Sequence, residues 1–174
     1  MGIGQCFVGG AGDVLRATLG SCVGICLVHA KTGRFALAHI LLPCADVGDR
    51  QVPDQPARYV DTILPHMLEQ LGCVGSSRRG FVAYVAGGAS IFSGPTQSSK
   101  VGASNCAALA RALREHRVRV AGEDLGGTSG RQLIADGVEA RAFTIHLDQD
   151  EEGPSWEFPA TFPGPRPHEE TRHG

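Results

Sequence analysis

The sequence predicts an α+β fold. Short apolar runs broken by Gly-rich turns fill the first forty residues, two stretches with helical spacing of apolar side chains follow, and further short β-rich runs lie around and after them. The resulting order, β-β-β-β-α-β-α-β-β-β, is not the regular alternation that builds a doubly wound parallel sheet.

The first four strands are read in "QCFVG", "VLRATL", "CVGICLVH" and "RFALAHILL", all rich in Val, Ile, Leu and Phe. "HAKTGR" joins the last two as a hairpin, with Gly33 able to take the positive φ that a tight turn needs. Pro43 to Pro56 holds three prolines and three aspartates and reads as a loop. A first helix is expected from about Pro56 to Leu71, stopped by Gly72, with Tyr59, Ile63, Met67 and Leu71 as its buried stripe and Pro65 as a kink. "GFVAYVAGGASIF" is a strand running into a Gly-Gly turn, and "SGPTQSSK" is a polar loop. A second helix from about Ala103 to His116 places Cys106, Leu109, Ala110 and Leu113 on one face. Strands follow at "VRVAGE", "QLIA" and "EARAFTIHL".

After Leu147 the composition changes: five of the ten prolines lie between Pro154 and Pro167, among acids and histidines. The expected organisation is one domain over residues 1–148 and a Pro-rich, poorly ordered tail over 149–174, with Trp156 and Phe158 docking locally.

Bulk properties exclude several classes. No window approaches the run of about 18 apolar residues a membrane span needs, and "MGIGQCFVGG" lacks the features of a secretory signal, so a cytoplasmic chain is expected. The formal net charge is −2 and the basic residues are scattered, which argues against nucleic acid as a partner. Six irregularly spaced cysteines in a chain of 174 residues do not make a disulfide scaffold, and free thiols are expected.

Two residues carry candidate chemistry. Cys22 follows a Gly20-Ser21 turn that can present a side chain and backbone N–H groups together; His39 stands among apolar residues, on the face it shares with Leu37 and Leu41. Both have bland readings, as a small buried hydrophobe and as a satisfied core histidine. If their strands pair, a thiol and an imidazole come side by side, since neighbouring strands lie about 4.8 Å apart. A zinc site from Cys22, Cys26, His39 and Cys44 fails, because Cys22 and Cys26 on one strand would be about 13 Å apart. Cys26, Cys44, Cys73 and Cys106 are assigned to packing. "AGGAS" reads as a tight turn with close backbone approach, and "GEDLGGTSGR" as either a plain connection or a rim of the site.

Together, "LGSCVGICL", "LAHILLP", "VAGGASIF", "VGASN" and "GEDLGG" resemble, in order and spacing, the chemoreceptor glutamine deamidases of bacterial chemotaxis (CheD). The resemblance spans about Gly4 to Leu147. It implies a layered α/β sandwich with mostly antiparallel strands and two main helices, related to toxins that deamidate glutamine. It implies Cys22 as nucleophile and His39 as general base for hydrolysis of receptor glutamine amides through a thioester, with no cofactor. The family also uses a threonine upstream of the cysteine to orient the histidine; the position six before Cys22 is Arg16, and the nearest threonine, Thr18, is assigned that role. The implied partners are the cytoplasmic helices of methyl-accepting chemoreceptors and a phosphatase of the chemotaxis response regulator. The rival reading is a non-catalytic adaptor that binds receptors or the phosphatase. An activated Cys22 thiolate is expected to be alkylated faster than the other five thiols.

Overall fold

A computed structural model describes residues 1–45, 55–73, 78–90, 97–148 and 151–163, with the side chains of 97–99 left aside. The elements are β1 (Cys6–Gly10), β2 (Val14–Leu19), β3 (Val23–His29), β4 (Arg34–Ile40), α1 (Val60–Gln70), β5 (Phe81–Gly87), α2 (Gln97–Glu115), β6 (Arg119–Leu125), β7 (Arg131–Asp136), β8 (Arg141–His146) and β9 (Glu151–Glu157). The α+β expectation holds, and the strands form two sheets, β1-β4-β3-β5-β6 and β2-β7-β8-β9. Every pairing is antiparallel except β5 with β6, which α2 connects by a crossover.

The five-stranded sheet is covered on both faces, which is why its central strands read as nearly unbroken apolar runs. On one face Val23, Ile25, Leu27, Ala36, Ala38 and Ile40 pack under α1 and α2. On the other, Cys26, Val28, Phe35, Leu37 and Tyr84 meet Ala17, Leu19, Leu133 and Ala135 of the second sheet. Each fully buried Ile, Leu or Phe here contributes about 1.5–3 kcal/mol, and the alternation along β3 and β4 fixes which side chains face which layer. The molecule is thus three layers: helices, five-stranded sheet, four-stranded sheet.

The hairpin between β3 and β4 is as expected, with Gly33 at φ 65°. The stripe Tyr59, Ile63, Met67 and Leu71 is buried. The first helix starts later than expected because Arg58 and Tyr59 are held extended: the Arg58 carbonyl accepts from the Leu41 and Leu42 N–H groups, and Tyr59 is bridged to Leu42. The helix runs on through Pro65. In α2 the buried face is Gly102, Asn105, Ala108, Leu109, Ala112 and Leu113, turned from the expected one, so that Cys106 and Ala110 sit only half-buried. The helix also begins six residues earlier, at Gln97. Most of the loop expected over Pro43 to Pro56, and the first part of "SGPTQSSK", lie outside the described residues.

The largest departure is in the proline-rich tail. Residues Glu151–Glu157 form β9 against β8, and Pro154 is accommodated because β9 is an edge strand that can lack a ladder donor. Trp156 stacks on Tyr84 at 6.1 Å between ring centroids, the Tyr84 hydroxyl donates to the Glu157 carbonyl at 2.6 Å, and Phe158 and Phe162 pack with Phe35. The sandwich therefore extends past residue 148; the stretch 164–174 lies outside the described residues.

Candidate functional site

The site is built where β3 begins and β4 ends. The ladder places Gly24 opposite His39 and Val23 opposite Ile40, and stops there. His39 sends its own N–H to the Gln5 carbonyl (3.0 Å) and takes the Gly4 N–H on its carbonyl (2.8 Å), so its backbone is bonded on the β1 side. Toward β3 it is therefore a non-hydrogen-bonded pair with Gly24, the closer of the two antiparallel spacings. By alternation His39 shares the inner face of the sheet with Leu37, Leu41 and Cys22. Cys22 lies one step diagonal from the Gly24–His39 pair, a distance of about 7–8 Å between Cα atoms for regular strands. Cys22 is 7% and His39 5% exposed.

The loop carrying the thiol is held by its carbonyls. Ala89 N–H donates to the Gly20 carbonyl at 2.8 Å, the Asn105 side chain to that of Ser21 at 2.9 Å, and Gly88 N–H to that of Cys22 at 2.7 Å. Among the described residues no backbone carbonyl takes the Ser21 N–H, and the Cys22 N–H turns to its own thiol. The "AGGAS" segment is the expected tight turn: Gly87 has φ 101°, and a Cβ on it would collide with the Cys22 carbonyl oxygen. A Cβ on Gly102 would likewise run into the Gly88 and Ala89 carbonyls, so the glycine of "VGASN" lets α2 lie directly against this turn.

"GEDLGGTSGR" proves to be a support behind the turn. Gly126 N–H donates to the Gly87 carbonyl at 2.8 Å and Ser90 N–H to that of Gly127 at 2.9 Å. The loop is fixed by a partly buried cluster in which Asp124 pairs with Arg131 and also accepts from the Thr144 hydroxyl (2.7 Å), with His146 Nε2 at 3.0 Å. Arg131 further donates to the Gly126 and Ser129 carbonyls.

The electrostatics of the pair are those of neutral groups. Burial pushes the Cys22 thiol above its ordinary 9.0, with its own backbone N–H pulling the other way. Burial also holds His39 below 6.5; the nearby N-terminal ammonium reinforces this, and a hydrogen bond to the Met1 backbone opposes it. Buried Nδ1 of His39 has no partner among the described residues. No hydrogen bond joins it to Cys22 in this resting arrangement. A preformed thiolate–imidazolium pair is therefore not what the surroundings favour.

The other cysteines differ in environment. Cys26 is fully buried and its thiol is pushed up strongly, and Cys6 is pushed up to about 11. Cys44 is exposed rather than packed, so the expectation that Cys22 leads in alkylation does not fit the free chain.

Thr18 is not brought to the pair. Ala17 and Leu19 of β2 point into the interior, which sends Thr18 to the exposed face, where its hydroxyl accepts from Gln132 Nε2 at 3.4 Å. Arg16 shares that outer face. The Gly20-Ser21 turn moves the chain from one sheet to the other, so alternation along β2 does not carry over to Cys22. Asn105 was not singled out by its residue type, although it interrupts an apolar helical stripe four residues before Leu109.

A sequence model of the family described as CheD chemotactic sensory transduction matches residues 41–144. This chain belongs to the CheD family. The match takes in Asn105, Asp124 and Arg131 and begins two residues after His39. A probable chemoreceptor glutamine deamidase CheD of Methanococcus vannielii is 39% identical over 132 residues, 76% of this chain and 84% of that protein. One from Bdellovibrio bacteriovorus is 38% identical over 133 residues, 75% of this chain and 83% of its own. The chemoreceptor glutamine deamidase CheD of Halalkalibacterium halodurans is 36% identical over 122 residues, 69% and 75% of the two chains. No described helix of this CheD chain is long and apolar enough to cross a membrane.

Proposed function

We propose that this chain is a protein-glutamine deamidase acting on chemoreceptors in chemotactic adaptation, with Cys22 as nucleophile and His39 as general base. The observation that carries the reading is the register: Cys22 and His39 lie on the same inner face where the β3–β4 ladder ends, and both are buried there. The names of the relatives supply the substrate class.

Because both groups rest neutral, the proton moves with the attack. Nδ1 of His39 takes the Cys22 proton as sulfur bonds to the glutamine Cδ, and the Ser21 and Cys22 N–H groups receive the oxyanion. Collapse breaks the C–N bond while the imidazolium returns the proton to the departing ammonia. Water then attacks the thioester, gives a proton to His39, and releases glutamate with the thiol restored. No step needs a cofactor.

The test is mass spectrometry of a chemoreceptor cytoplasmic fragment, with a panel of small amides and unrelated peptides alongside. Amide-to-acid conversion confined to the receptor is expected, and conversion of the small amides alone would point to a general thiol hydrolase. A second reading, an adaptor that binds receptors or a response-regulator phosphatase without catalysis, draws on the outward placement of Thr18. It predicts receptor binding with no conversion.

A further inference from the structure

We propose that Asn105 is the positioning residue that holds the Cys22 loop and the His39 strand together. This deepens the reading above and rests on it. The β3–β4 ladder ends at Val23 and Ile40, and beyond it the two chains part. The Cys22 carbonyl turns to Gly88 N–H, while the Leu41 and Leu42 N–H groups turn the other way, to the Arg58 carbonyl. Into this fork α2 inserts one carboxamide. Its nitrogen has two hydrogens and both are used: one goes to the Ser21 carbonyl at 2.9 Å, the other to the Leu41 carbonyl at 3.0 Å. Ser21 immediately precedes the nucleophile, and Leu41 lies two residues after the base.

The chemistry of the group fits that task. Asn105 is 0% exposed, and its Oδ1 has no partner, so the side chain serves the fork through its donors alone. A serine supplies one donor and an aspartate none. Gly102, one turn earlier, brings α2 against the Gly88–Ala89 turn that anchors Gly20 and Cys22, so the helix sets the height at which Asn105 enters. With the clamp gone, the Ser21 and Leu41 carbonyls lose their shared donor and the thiol and imidazole are free to drift apart. A misplacement of about 1 Å can cost about 100-fold in rate.

The experiment compares wild type, Asn105→Leu, Asn105→Ser and Leu109→Ala on the receptor fragment, with Cys22→Ala as reference. Leu109 lies on the same buried face of α2 but its side chain can make no hydrogen bond to either arm of the fork, so Leu109→Ala reports lost packing without loss of the clamp. Asn105→Leu is expected to lower kcat about 100-fold with KM little changed, and Asn105→Ser to fall between it and wild type. Leu109→Ala is expected to lower Tm and keep the kcat of the folded protein. A readout independent of turnover is the pH profile of Cys22 alkylation. Its midpoint should move back toward 9.0 in Asn105→Leu and stay put in Leu109→Ala.

Wild-type kcat and an unmoved alkylation profile in Asn105→Leu would overturn the clamp; so would an equal kcat loss in Leu109→Ala. If Asn105→Leu does not fold, Asn105→Ser carries the same comparison. Full conversion by Cys22→Ala would instead remove the nucleophile assignment, leaving the alkylation profile to judge the clamp.

Discussion

The two ends of the β3–β4 hairpin are built from the same strands and differ in how they treat a histidine. At the closed end His29 is partly exposed, stacks on Phe81 at 4.3 Å between ring centroids, and has Thr32 Oγ1 within 3.1 Å of its Nδ1. At the open end His39 is buried, and its Nδ1 is left without a partner among the described residues. Around it every carbonyl of Gly20, Ser21 and Cys22 has been given a donor. A satisfied histidine at a turn is structure. A buried Nδ1 left open is a cost, and it is the one that the proposed role of His39 as base would explain.

The sharpest way to break this contrast is at the pair itself. Cys22→Ala should lower receptor conversion by at least about 10⁴-fold, and His39→Ala by about 10²–10⁴-fold, the usual worth of a general base. Both are read by mass spectrometry of the fragment. Next in size is Gly87→Ala. Its φ of 101° already strains an alanine by about 1–3 kcal/mol. The new Cβ also strikes the Cys22 carbonyl, so denaturant midpoint and conversion should fall together. Loss of stability with full activity would mean that the turn does not set the thiol.

A smaller effect sharpens the electrostatic half of the comparison. In the proposed mechanism a neutral His39 is the base, and burial holds its pKa below 6.5, so the acid limb of kcat/KM should have its midpoint below pH 6.5. Linkage gives the matching stability sign. The unfolded chain takes up this proton first, so His39's contribution is present above pH 6.5 and is lost as pH falls from there toward its folded value. An acid limb above 6.5 in the rate profile would contradict a neutral base. The smallest effect is expected at the closed end. His29→Ala should cost about 0.5–1.5 kcal/mol from the lost ring stacking and leave conversion unchanged.

Much of this was legible in the sequence, for physical reasons that also explain the misses. Alternation in "CVGICLVH" and "RFALAHILL" gave the paired strands and the face of His39, because a sheet buried on both sides leaves long apolar runs. The thiol loop was readable from Gly20-Ser21. Thr18 was misplaced since that same turn carries the chain between sheets, and strand parity does not survive such a crossing. Strand β9 was hidden by Pro154 and three acidic residues, a composition tolerated only because the strand is an edge. Asn105 escaped because its meaning depends on two carbonyls 84 and 64 residues away in sequence.

The central claim is that the buried thiol at the open end of the hairpin, and not the exposed one, does the chemistry. Conversion of the receptor fragment by wild type, Cys22→Ala and Cys44→Ala, measured side by side, tests it most directly. Cys44→Ala should match wild type and Cys22→Ala should produce no glutamate; conversion by Cys22→Ala at the wild-type rate would contradict the account.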